Sequence, residues 1–100
     1  MTENLVRLSE DEHVFRVEGN SSVSFTKLDH MIIMQHPLRG VIPRANVKGL
    51  VIDETTSPPG LYLDWRRGNL PEHTYLGGIN DLNFAQNFVS RVNDYLREGQ

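Results

Sequence analysis

The chain has 100 residues, of which 38% are hydrophobic and 23% are charged, with a formal net charge of −3 and no cysteine. This length suits one domain with one core, and the composition has neither the low hydrophobicity nor the high net charge that keeps a chain disordered. The lack of cysteine excludes disulfides, thiolate metal sites and thiol nucleophiles. The negative net charge argues against nucleic acid as a partner.

No segment of the sequence is predicted to cross a membrane. The longest apolar run, Met31–Met34, has four residues, whereas a transmembrane helix needs about 20. Residues 1–12 lack the basic and apolar regions of a secretory signal. Together with the absence of cysteine, these features predict a cytoplasmic protein.

The first half of the chain is predicted to be an arm followed by short strands. Residues 1–12 are polar and acidic and predict an N-terminal arm. Further on, apolar residues alternate with polar ones or form short runs bounded by turn-forming residues, which is typical of strands. The predicted strand segments are His13–Val17, Ser22–Thr26, Met31–Met34, Val41–Ile42 and Leu50–Ile52.

A hairpin is predicted after a proline-rich loop. Ser57–Gly60 contains two prolines and cannot continue a strand. Leu61, Leu63 and Trp65 then alternate with polar residues, which predicts a strand with Trp65 on its core face. Thr74–Leu76 is predicted to return antiparallel after a longer loop.

An amphipathic helix is predicted at the C-terminal end, with Asn80 as its N-cap. Its apolar stripe must be buried against the preceding sheet. The predicted class is therefore α+β, with an antiparallel bent sheet or small barrel of about six to seven strands closed by one helix. The stripe consists of residues three and four positions apart: Leu82, Ala85, Phe88, Val89, Val92, Tyr95 and Leu96.

The sequence contains no recognisable arrangement for catalysis, a metal or a cofactor. His30 and His36, with Asp29, have a spacing that matches no metal motif. Asp53 and Glu54 are adjacent, so on an extended chain they face opposite ways. The glycine-rich and nucleophile-elbow motifs of nucleotide-binding proteins and hydrolases are absent. We therefore expect a protein that is not an enzyme and has no catalytic residues, metal or cofactor.

Basic and aromatic residues in the middle of the chain are the main candidates for a binding surface. If the strands around Val41, Leu50 and Leu63 are neighbours, these side chains converge into a patch for an acidic protein surface, a phosphate or a lipid headgroup. The alternative is a solvated face of the sheet. Arg39 belongs to this basic stretch, and the predicted binding residues are Arg44, Lys48, Tyr62, Arg66 and Arg67.

The segment Val41–Leu50, the hairpin and the closing helix from Asn80 to Leu96 resemble the bacterial pleckstrin-homology-like domains. In those domains a segment of this kind leads into a strand, and a helix with phenylalanine and leucine plugs one end of a bent sheet. The resemblance implies one such domain over residues 13–97, a tail at residues 98–100, and a role in scaffolding and binding. The chain lacks the helix tryptophan and the basic first hairpin of the lipid-binding members, since Trp65 lies in a strand.

The expected function is a non-enzymatic protein-interaction or scaffolding module. It docks a protein partner, or a second copy of itself, through an exposed strand edge or the basic and aromatic residues. Two alternatives stay open: a domain that binds a small anion or ligand with the same basic residues, and a small inhibitor or immunity-type protein. Convergent, unpaired basic residues favour the ligand binder, and an uncovered apolar edge favours docking.

Overall fold

The computed structural model describes residues 5–29, 31–36 and 39–98, which form antiparallel strands followed by one helix. The predicted α+β class is confirmed. No helix in these residues is long and apolar enough to span a bilayer. The elements are β1 (Arg7–Glu10), β2 (Val14–Glu18), β3 (Ser22–Thr26), β4 (Ile32–His36), β5 (Gly40–Ile42), a 3-10 turn (Arg44–Asn46), β6 (Val47–Asp53), β7 (Gly60–Arg67), β8 (Leu70–Gly78) and α1 (Leu82–Glu98).

The strands lie in two sheets, and the predicted single bent sheet or small barrel is wrong in this respect. Strands β1 to β5 form a five-stranded meander, and β6 to β8 form a three-stranded one. The strand count exceeds the prediction because residues 7–10 of the predicted arm form β1, which pairs with β2. These residues are mostly polar and therefore do not show the pattern of a strand in the sequence. Val6 and Leu8 nevertheless pack against the core.

The hairpin of β7 and β8 has the alternating buried residues that the sequence predicts. Its connection is tighter than predicted, because Arg67 pairs with Leu70 and leaves only Gly68 and Asn69 in the turn. Gly68 has a φ of +63°, a left-handed conformation that glycine adopts without steric cost. This turn places Arg67 at the exposed tip of the hairpin.

Helix α1 packs its apolar stripe against both sheets, in one hydrophobic cluster that they share. Phe88 meets Phe15 of β2 edge-on, with ring centroids 5.8 Å apart, a geometry that aromatic pairs favour. The helix begins one residue later than predicted. Asp81, rather than Asn80, is the N-cap, because its Oδ1 accepts the N–H of Phe84 at 3.1 Å.

The helix also covers the outer edge of β6. The side-chain amide of Asn93 lies against Leu50: its Oδ1 accepts the Leu50 N–H at 2.9 Å, and its Nδ2 donates to the Leu50 carbonyl at 3.1 Å. A Cβ at Gly49 would lie 2.5 Å from the Asn93 Oδ1, so this close approach requires glycine. Asn93 thus satisfies the N–H and carbonyl of one residue on this edge of β6.

Strand β1 is held to the helix and to the turn after β3 through Glu10. The Glu10 carboxylate accepts hydrogen bonds from Arg91 Nε at 2.9 Å and Nη2 at 2.7 Å, and from Lys27 Nζ at 2.8 Å. The bidentate Arg91 contact, aided by Lys27, holds the pKa of Glu10 below its ordinary value, although partial burial opposes this. The ionised form of Glu10 therefore stabilises the folded state.

Replacing Phe88 by alanine tests the position of the core. Phe88 is 4% exposed, so Phe88→Ala should lower the free energy of unfolding by about 3 kcal/mol or more, because it leaves a cavity. Phe84 on the same helix is 52% exposed, and Phe84→Ala should cost about 1 kcal/mol or less. Urea melts that show equal, small effects for both variants would contradict this core.

Removing the Asn93 amide tests the cover on β6. Asn93→Ala should lower the free energy of unfolding by about 1 to 2 kcal/mol in urea melts, because two backbone groups of Leu50 lose their partners. Asn87→Ala is the matched control on the exposed face of α1, where alanine should be neutral or slightly stabilising. An Asn93 variant as stable as the control would show that β6 does not need this cover.

The Glu10 ion pairs predict a dependence of stability on pH. A carboxyl whose pKa is lower in the folded than in the unfolded chain stabilises the fold above its unfolded pKa, ordinarily near 4.5. This contribution is lost as the pH falls through the folded pKa. Glu10→Gln should therefore lower stability by about 1 kcal/mol or less at neutral pH, and the difference should vanish in acid.

The control for Glu10 is Glu54→Gln, since Glu54 is exposed and forms no ion pair among the described residues. Thermal melts across the acid range compare both variants with the wild-type chain. A Glu10 variant whose deficit stays constant from neutral to acidic pH would show that its ionisation is not linked to folding.

Candidate functional site

An apolar groove lies between the end of the five-stranded sheet and the tip of the β7–β8 hairpin. We call this cavity of about 330 Å³ the β5 groove. Strand β5 and the turn after it line one side, and the end of β7 lines the other. The described lining residues are Met34, Arg39, Gly40, Val41, Ile42, Pro43, Asn46, Trp65, Arg66, Arg67 and Gly68.

Trp65 is the large aromatic residue of the β5 groove. It is 8% exposed, and its indole Nε1 donates a hydrogen bond to Thr74 Oγ1 at 2.8 Å. Because its only polar atom is already satisfied within the hairpin, the indole offers carbon surface to the groove. The sequence prediction that Trp65 belongs to the core is confirmed, and the same residue also contributes to the groove.

Three arginines, Arg39, Arg66 and Arg67, also line the groove. The Arg67 guanidinium lies 5.5 Å from the centroid of the Trp65 ring, and its Nε lies 3.4 Å from Glu72 Oε1. Within the part of the chain that the structure describes, Arg39 and Arg66 are exposed and contact no carboxylate. No described carboxylate lines the groove, so it is locally basic although the chain as a whole is acidic.

Strand β5 presents an open edge to this groove. Among the described strands, β1, β5, β6 and β8 lie at sheet edges. Three of them have an outer contact at one or two positions, whereas the rest of the β8 edge, from Leu70 to Tyr75, has no outer backbone partner among the described residues. The edges of β1 and β8 meet at one corner, where the Val6 N–H donates to the Gly78 carbonyl at 2.8 Å, and α1 covers β6. Among the described residues, β5 pairs only with β4 and has no strand on its other side.

The exposed edge strand is also apolar. Val41, at its centre, is 58% exposed, and Pro43, which has no backbone N–H to donate, ends the strand. An unpaired edge of this kind offers backbone donors and acceptors to another chain.

Two of the five predicted binding residues, Arg66 and Arg67, lie together in the β5 groove. The other three, Arg44, Lys48 and Tyr62, are not among the residues that line it. Lys48 is exposed on β6 outside the groove. Tyr62 lies on the outer face of the three-stranded sheet, where its ring packs against Tyr75 with centroids 5.4 Å apart.

Arg44 has a structural role at the C-terminal end of α1. Its Nη2 donates to the carbonyls of Tyr95 at 2.5 Å and Leu96 at 3.1 Å, and its guanidinium lies over the Tyr95 ring at 4.8 Å. Helix C-terminal carbonyls lack intrahelical partners and carry partial negative charge, so a cation there stabilises the helix. Sequence reasoning assigned Arg44 to binding, whereas its contacts hold the turn after β5 to the helix.

Arg39 and Val41 were not among the five predicted binding residues, although Arg39 belongs to the predicted basic stretch. A signal for them was present, since Gly40, Val41, Ile42 and Pro43 form a very short strand that ends in proline, and proline in sheets is confined mostly to edges. His30 and the side chain of His36, which were considered as metal ligands, lie outside the described residues, as do residues 1–4 of the predicted arm and residues 99 and 100 of the predicted tail.

A second cavity, of about 430 Å³, lies between β1, β2, the turn after β3 and α1. Its charged residues include Glu10, Lys27 and Arg91, which are paired with each other in the contacts that hold β1. Tyr95, also in this lining, donates its hydroxyl to the carbonyl of Thr26. These groups already satisfy one another, so the β5 groove is the stronger candidate.

Comparison of the chain with protein-family models, with curated proteins and with solved structures finds no match. The geometry of the β5 groove is therefore the basis for proposing a function.

Collisional quenching of fluorescence tests the charge of the β5 groove. Trp65 is the single tryptophan of the chain, so its emission reports on this site alone. Relative to free N-acetyltryptophanamide, iodide should quench it more efficiently than caesium, because the three arginines raise the local concentration of anions. The measurement is the ratio of the two Stern–Volmer constants.

Matched charge reversals serve as controls for this prediction. Arg66→Glu should lower the ratio of iodide to caesium quenching, whereas Lys48→Glu makes the same charge change outside the groove and should leave the ratio nearly unchanged. Preferential quenching of the wild-type protein by caesium, or equal effects of the two substitutions, would contradict a basic groove.

Proposed function

We propose that this chain is a non-enzymatic protein-interaction module that binds a segment of a partner protein along the open edge of β5. The observation that carries the proposal is the coincidence of an unpaired edge strand with an apolar groove. An extended segment that adds to such an edge gains main-chain hydrogen bonds, and its side chains gain contacts in the groove. Val41 and Pro43, which are exposed, supply most of the apolar surface for those contacts, and Trp65 adds the small part of its ring that is exposed.

The charged groups of the β5 groove suit binding better than catalysis. Its ionisable residues, among those described, are Arg39, Arg66 and Arg67. A guanidinium stays protonated in proteins and neither takes up nor releases a proton near neutral pH. Nucleophilic or acid–base catalysis needs groups of another kind.

The order of elements supports the resemblance to the bacterial pleckstrin-homology-like domains, which we retain as part of the proposal. Antiparallel strands come first, and one amphipathic helix follows and packs against them. A binding and scaffolding role agrees with what that resemblance implies. A cytoplasmic location stays a prediction from the sequence.

Peptide selection tests the proposed function. Peptides selected on the wild-type chain from a random library should bind in the β5 groove. The native chain has no cysteine, so Val41→Cys takes a single bulky maleimide label at the centre of β5. This label should lower the affinity of the selected peptides by about tenfold or more, since it blocks both the edge and the groove.

The matched control is the same label on Val51→Cys. Val51 is 42% exposed and lies on β6, in the other sheet, so this label should leave binding nearly unchanged. The proposal fails if no peptide is enriched, or if both labels weaken binding equally. A free edge without a partner would give the first outcome, and binding elsewhere on the surface would give the second.

A further inference from the structure

The charge of the β5 groove restricts the chemistry of its occupant. Three arginines and no carboxylate appear among the described residues that line it. Arg67 lies near Glu72, whereas Arg39 and Arg66 contact no carboxylate within residues 5–29, 31–36 and 39–98. A guanidinium presents several N–H donors in a planar fork that matches a carboxylate. Two such forks, without a carboxylate partner among the described residues, can therefore receive acidic side chains.

We propose that the occupant is an extended segment of a partner protein in which acidic residues alternate with apolar ones. This inference rests on the proposed function, because it takes the open edge of β5 as the docking edge. Successive side chains of a strand point to opposite faces. An alternating segment thus presents apolar side chains to Val41 and Trp65 and carboxylates to Arg39 and Arg66.

A second copy of this chain is a poorer occupant of the same edge. Pairing β5 of one copy with β5 of another would place two basic grooves side by side, each lined by three arginines among the described residues. Like charges that face each other across paired strands are destabilising. The arginines of the groove therefore oppose self-association at this edge and favour a partner of opposite charge.

The attraction is local, because the whole chain carries a net charge of −3. At long range an acidic segment meets an acidic protein, so electrostatic steering contributes little to association. At contact distance the guanidinium–carboxylate pairs dominate, and they weaken as salt is added. Affinity should consequently fall when sodium chloride rises from about 0.05 M to about 0.5 M.

The test uses a synthetic peptide of about seven residues, roughly 23 Å when extended, in which glutamate alternates with valine and phenylalanine. Trp65 emission and peptide anisotropy report binding to the full chain. The glutamate peptide should bind at least about tenfold more tightly than the same peptide with lysine in place of glutamate. It should also bind more tightly than an isomer in which the glutamates and the apolar residues form two separate blocks.

Charge reversal of the protein gives the sharper arm of the experiment. The variant Arg39→Glu/Arg66→Glu should bind the glutamate peptide about tenfold or more weakly than the wild-type chain does. It should bind the lysine peptide more tightly than the wild-type chain does. A misfolded variant cannot show that gain. The control Arg7→Glu/Lys48→Glu has the same change in net charge at exposed positions outside the groove, and it should keep the wild-type preference.

Each contrary result has a distinct meaning. Equal binding of the glutamate and lysine peptides, or equal effects of the two double variants, overturns the acidic partner. If library-selected peptides bind at Val41 and the glutamate peptide does not, the inference fails while the proposed function stands. If neither kind of peptide binds, both fail. Binding of a small aryl carboxylate as tight as that of the glutamate peptide overturns both in favour of a small-anion site.

Discussion

The hydrogen bonds between Asn93 and Leu50 fix the C-terminal helix against the outer edge of β6. A sheet edge exposes unpaired backbone donors and acceptors, and a fold of two open sheets has four such edges. The Asn93 side chain satisfies one residue of β6 from the helix, while Arg44 ties the end of that helix to the turn after β5. The helix is thereby fixed on the β6 side of the molecule, and β5 is left without a neighbour in the described chain.

The candidate site combines an open strand edge, an apolar groove and a group of arginines. The tight turn at Gly68 brings the tip of the β7–β8 hairpin beside β5, so that Trp65 of one sheet faces the edge of the other. The arginines of the hairpin tip line the same groove as Arg39, so the groove is basic in a chain of net negative charge. An open edge supplies main-chain hydrogen bonds without sequence preference, and the surrounding side chains supply the preference.

The sequence predicts the parts of the structure that depend on local periodicity, and it misses those that depend on distant contacts. The alternation around Leu63 and the helical stripe around Phe88 are buried as predicted, since each pattern has one face that must leave water. Strand β1 was not predicted, because most of its residues are polar. The contact of Glu10 with Arg91, which holds β1 to the helix, joins residues that are far apart in the sequence. The role of Arg44 was not predicted either, because its acceptors on α1 are 51 and 52 residues away. By residue type alone, Arg44 and Arg66 were equivalent candidates for binding. The three-dimensional structure shows that Arg44 contacts the helix and that Arg66 lines the groove.

Backbone hydrogen exchange, followed by NMR for each amide, tests the central claim most directly. The account predicts that in the free protein the amides of β5 that do not face β4 exchange rapidly, whereas the Leu50 amide on β6 is protected. On addition of a saturating peptide that binds the groove, those β5 amides should become protected while the β6 amides stay unchanged. Strong protection of every β5 amide in the free protein, or no gain of protection on binding, would contradict an open docking edge at β5.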